Sequence, residues 1–65
     1  MAFKDNLRRL RTAGVLSQAD LAEKSGVSKL TITRAEAGKV MPHPRTIRKL
    51  AAALGVEPAA LMRDE

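Results

Sequence analysis

LSQADLAEKSGVSKLTITRAEAG, residues 16–38, holds two short helical segments joined at a glycine. Ser17 stands where its hydroxyl can cap a first turn, and Asp20, three residues on, is a shorter counterpart of the usual capping-box Glu. Leu16 precedes that cap and Leu21 follows it by four residues, the spacing of a hydrophobic staple. The helix so opened runs to Ser25. Gly26 breaks it and is expected at positive φ. Ser28 then caps a second helix that ends near Ala37, with Gly38 as its stop.

Three further helices flank this pair. Phe3, Leu7 and Leu10 recur at i, i+4 and i+7, which predicts a first helix over about residues 2–13, with Gly14 at its C-cap. The stretch from Lys39 to Pro44 reads as a loop, because Pro42 and Pro44 each disfavour helix in the preceding residue. Pro44 suits the first turn of a fourth helix with the stripe Ile47, Leu50, Ala51 and Leu54, ended by Gly55. Glu57-Pro58 opens a short fifth helix carrying Ala60, Leu61 and Met62. Met41 and Met62 read as gap-fillers. No strand pattern competes, so the expectation is an all-α, compact five-helix fold in one domain spanning 1–65.

A chain of 65 residues lies near the lower size limit for folding without disulfides or metal. Its core has no room for a deep cleft, so no cofactor and no small-molecule ligand is expected. The absence of Cys and the single His exclude a disulfide framework and a zinc site. Acid/base pair, nucleophile elbow and phosphate loop are all missing from the pattern, which argues against an enzyme. No apolar run has membrane-spanning length and no signal-peptide stretch is seen, so a soluble intracellular protein is expected, with no membrane partner.

The net charge of +5 is unevenly spread. Residues 28–49 carry Lys29, Arg34, Lys39, Arg45, Arg48 and Lys49 against Glu36 alone, whereas the segments on either side are weakly positive and weakly negative. Such a basic stretch suits a polyanion. With one Phe and neither Tyr nor Trp, stacking on single-stranded bases is a poor reading. A double-stranded partner is the better one.

At 100° per residue from Lys29, Thr33 falls at about 40°, Leu30 at about 100° and Arg34 at about 140°, with Ala37 among them at about 80°. Ile32 and Ala35, at about 300° and 240°, point the other way. Lys29, Leu30, Thr33 and Arg34 therefore face outward together, with chemistry suited to base edges: cations for guanine, a hydroxyl for several edges, Leu for a thymine methyl. Two capped helices hinged at a glycine, the second with such a face, have the layout of a helix-turn-helix that reads the major groove of double-stranded DNA. Arg45, near the start of the fourth helix, is the best phosphate candidate beyond it. Ser28, Thr31, Lys39 and His43 complete that set; His43 also stands where a helix cap belongs.

The chain resembles the lambda repressor–Cro (XRE-type) helix-turn-helix family over nearly its whole length. The resemblance rests on Arg8-Arg9-Leu10-Arg11, Leu16 through Ala22, Gly26-Val27-Ser28, Ile32, Glu36-Ala37-Gly38, Pro42, and Leu50 through Val56. It implies that Gln18 contacts a phosphate and buttresses the recognition helix, with Lys29, Leu30, Thr33 and Arg34 at base-reading positions. It also implies a structural ion pair between Arg11 and Glu36; Glu36, at about 340° on the wheel, sits at the border of core and surface. His43 departs from the small polar cap usual after Pro42.

The function implied is sequence-specific double-stranded DNA binding by a cytoplasmic, nucleoid-associated transcriptional regulator or repressor of bacterial or phage type. The resemblance admits a homodimer on a palindromic site and also a monomer. It covers equally a natural small regulator, a fragment of a longer one, or an engineered domain on this scaffold. The rival reading is a protein-interaction or dimerisation module, because the Ala51-Ala52-Ala53 and Ala59-Ala60 runs allow close helix approach.

Overall fold

The two central helices open at the serine caps the sequence offers. The computed structural model describes residues 2–63, and its elements are α1 (Phe3–Ala13), α2 (Gln18–Ser25), α3 (Lys29–Glu36), α4 (Pro44–Leu54) and α5 (Pro58–Met62). At the start of α2 the full capping box forms: the Asp20 N–H donates to Ser17 Oγ at 2.9 Å and the Ser17 N–H to Asp20 Oδ2 at 3.0 Å. The shorter acid is therefore long enough. Those hydrogen bonds, backbone first, hold the Asp20 carboxyl below its ordinary value. Ser28 caps α3 by accepting from the Thr31 N–H at 3.1 Å.

Each helix contributes one wholly buried branched side chain: Leu7, Leu21, Ile32, Leu50 and Leu61. Each such burial is worth on the order of 2 kcal/mol. Around them pack Phe3, Val27, Ala35, Ile47, Ala51 and Ala53, with Leu10, Leu16 and Leu54 at the margin. α1 lies on α3 and α5, while α2 packs on α3 and α4. The short α3 thus buries Ile32 and Ala35 and leaves its opposite face bare.

Several expectations need correcting. Gly14 occupies the C-cap of α1 but has an ordinary φ of −84°, and the left-handed residue is its neighbour Val15 at φ 56°. The Leu16 N–H donates to Arg11 O and the Val15 N–H to Thr12 O, the two bonds of a Schellman turn, so the left-handed position falls on residue 15. Gly26, by contrast, has the expected positive φ, at 76°. Met41 and Met62 fill no gap, being 58% and 50% exposed. His43 holds the N-cap position of α4 with no capping hydrogen bond from its side chain.

Asn6 was not anticipated. It is a polar side chain in the core, 2% exposed on the same face of α1 as Phe3 and Leu7. Its Nδ2 donates to Leu61 O at 2.9 Å and Arg63 O at 2.7 Å, closing the C-terminal end of α5 against α1. Arg9 donates to its Oδ1 at 3.3 Å. A buried amide is tolerated here because every polar atom has a partner.

Candidate nucleic-acid interface

Lys29, Leu30, Thr33 and Arg34 are all exposed on the face of α3 opposite Ile32 and Ala35. Leu30 is 57% exposed, the one large apolar side chain of that face. Among the described residues the side chains of Lys29, Leu30 and Arg34 make no hydrogen bond. Thr33 is different: its Oγ1 donates to Gln18 Oε1 at 2.7 Å, across the α2–α3 turn.

Gln18 is the middle of a longer chain of contacts. Its Nε2 donates to Glu36 Oε1 at 3.2 Å. Glu36 in turn accepts from Arg11, Nε to Oε2 at 2.7 Å and Nη2 to Oε1 at 2.9 Å. Arg11 Nη1 also donates to Leu16 O at 2.8 Å, tying the same guanidinium to the residue that precedes the α2 cap. The Arg11 and Glu36 side chains are 14% and 5% exposed. Burial alone would raise the Glu36 carboxyl, but hydrogen bonds from Arg11 and Gln18, with the charges of Arg11 and Arg8, outweigh it and hold the group below its ordinary value. The bond to Glu36 likewise pushes Arg11 up against its own desolvation.

Of the remaining candidates, Ser28 and Thr31 are a pair: their hydroxyl oxygens are 2.8 Å apart and Ser28 also serves as the cap. Ser28 is exposed and Thr31 half-buried. Lys39 and His43 are exposed in the loop between α3 and α4, around the buried Pro42. Arg45 is exposed on the first turn of α4. There Pro44 has no N–H, and the N–H groups of Arg45 and Thr46 precede the first intrahelical donor, Ile47, which bonds His43 O. With no side-chain cap from His43, that end of the helix keeps donors available to an anion. Among the described residues there is no cluster of metal-ligating side chains, and no helix is long and apolar enough to cross a membrane.

A basic, exposed α3 set against α2 through a glycine turn is the defining unit of a helix-turn-helix protein. The chain belongs to that family: the helix-turn-helix family model matches residues 7–61. Among curated relatives it is 48% identical over 61 residues to an uncharacterized HTH-type transcriptional regulator, RghRB, of Bacillus subtilis, covering 92% of this chain and 44% of that protein. It is 45% identical over 62 residues to the HTH-type transcriptional repressor RghR of the same organism, covering 94% of this chain and 46% of the repressor. The chain thus spans less than half the length of these relatives. Among solved structures, the restriction-modification controller protein C.AhdI from Aeromonas hydrophila superposes with a TM-score of 0.88 at 42% identity, over 92% of this chain and 91% of that one. An HTH_3 family transcriptional regulator from Vibrio cholerae gives a TM-score of 0.87 at 30% identity, over 91% of this chain and 33% of that one.

Proposed function

We propose that the chain binds double-stranded DNA sequence-specifically, with α3 in the major groove, and acts in transcription regulation in the cytoplasm, on the nucleoid. The observation that carries this is the outward face of α3, where two cations, a hydroxyl and an apolar side chain stand together on a rigid, capped helix. Lys29, Leu30, Thr33 and Arg34 read base edges. Gln18, Ser28, Thr31, Lys39, His43 and Arg45 hold phosphates and set the register, and their cations supply much of the affinity through counterion release. Arg11 and Glu36 are structural, fixing α1 to the end of α3 and thereby the angle at which α3 is presented. One such helix reads about four to six base pairs, so two copies on an inverted repeat would raise selectivity where the protein dimerises.

Selection from a randomised duplex pool tests this. An enriched motif should appear, and Arg34→Ala should cost about 1–3 kcal/mol at one base pair while leaving the other positions intact. Equal weakening of all sequences by Arg34→Ala would reject its base-reading role. No retention of duplex at either low or moderate salt would instead point to a protein-interaction module.

A further inference from the structure

The hydrogen bonds that end at Thr33 have only one consistent direction. Glu36, paired with Arg11, is a carboxylate and has no proton to give, so the Gln18 atom facing it at 3.2 Å is the amide nitrogen. That turns the Gln18 carbonyl oxygen toward Thr33 Oγ1, 2.7 Å away, and a carbonyl oxygen only accepts. The Thr33 hydroxyl proton is therefore committed inward. What Oγ1 offers outward is its lone pairs.

We propose that Thr33 reads DNA as an acceptor alone, selecting on the strand it faces a base with a major-groove exocyclic amine: adenine N6 or cytosine N4. Guanine O6 and thymine O4 at the same place would set oxygen against oxygen, with both groups stripped of water. An untethered threonine hydroxyl rotates to suit either kind of edge. The tether through Gln18 is what makes Thr33 one-sided, and Arg11 holds the far end of it by fixing the Glu36 carboxylate with two hydrogen bonds. The inference rests on the base-reading placement of Thr33 proposed above. It adds a direction of discrimination that the side chain by itself does not have.

The test combines duplex selection with one measurement that needs no DNA. Wild type, Thr33→Val, Thr33→Ser and Gln18→Met are each checked for folding by circular dichroism and then run against the same randomised pool. One motif position in the wild type should favour adenine or cytosine on one strand by about fivefold, the lower end for a direct base contact. Thr33→Val should flatten that position only, and Thr33→Ser should keep it. Gln18→Met should bind all sequences more weakly and also admit guanine or thymine there. In the DNA-free protein, three-bond NMR couplings should show a single Thr33 χ1 rotamer that Gln18→Met averages. The inference is overturned by an enriched motif that Thr33→Val leaves unchanged, by a Thr33-dependent position that prefers guanine or thymine, or by a Thr33 χ1 already averaged in the wild type. If the wild type enriches no motif at all, the DNA-reading assignment itself falls, and the inference with it.

Discussion

Replacing Arg11 by Met keeps the aliphatic stem and removes the charge from the Arg11–Glu36 pair. Glu36, 5% exposed, would then keep only the 3.2 Å hydrogen bond from Gln18, and Leu16 O would lose its side-chain donor. Leaving one member of a buried pair unmatched costs about 3–5 kcal/mol, and the lower end applies because Arg11 sits at the margin, 14% exposed. A domain of this size has a total stability of roughly 3–10 kcal/mol, so the single variant should be close to unfolding. Arg11→Met combined with Glu36→Leu removes both charges and should lie within about 1 kcal/mol of wild type. Urea melts of the four species give the coupling, expected at about 2 kcal/mol or more.

The pH dependence adds a sign. In the wild type the folded-state Glu36 value is depressed, so its stabilisation is fully present above the unfolded value of about 4.3 and is lost as pH falls through the folded one. In Arg11→Met the burial that raises the carboxyl is opposed only by the Gln18 hydrogen bond and the Arg8 charge, so its folded-state value moves up from that of the wild type. Acid then weakens the variant less than the wild type, so the gap between them should narrow as pH falls from 7 through the carboxylate range. A gap that stays constant, or a double variant as unstable as the single one, would refute the reasoning.

Val15→Gly should stabilise the domain. A left-handed φ of 56° costs a non-glycine residue about 1–2 kcal/mol, while glycine's extra freedom in the unfolded chain returns about 0.5–1 kcal/mol. At 88% exposure no packing is lost, so thermal melting should rise by about 2–6 °C. Asn6→Ala leaves Leu61 O and Arg63 O without their donor and should cost about 1–3 kcal/mol, with hydrogen-exchange protection falling first in α5. Arg45→Ala should weaken binding to all duplexes alike and lower the slope of log K against log salt by about one, as read by titration at several salt concentrations.

The helices and the core were legible because their signals are local. Caps lie within three residues of what they cap, and apolar spacing at 3.6 residues picks out Leu7, Leu21, Ile32 and Leu50 directly. What was missed depends on distance or register. Asn6 is an amide in an apolar stripe, and its partners are 55 and 57 residues away. The pattern Phe3-x-x-Asn6-Leu7 does mark a polar group on the buried face, but not what it bonds. Gly14 attracts the C-cap reading because glycine tolerates left-handed φ, yet the register is set by the Leu16 N–H reaching Arg11 O, which moves that conformation one residue on. Gln18 and Thr33 are each conspicuous alone. Their 2.7 Å link comes from the packing of α2 on α3, which no spacing along the chain encodes.

Three of the four outward side chains on α3 have no hydrogen bond within the described residues, and the fourth is tied to Gln18. Mutational drift should respect that division. Positions 29, 30 and 34 should exchange with little effect on folding, so on the DNA-reading role proposed above a lineage could move to new target sites by changing them one at a time. On the same proposal, a threonine kept at position 33 can change its preference only through a change at 18 or 36, which makes it the slow coordinate of target divergence. In a library built on this scaffold, the first three positions should tolerate full randomisation, whereas new specificities at the fourth should arrive as paired substitutions.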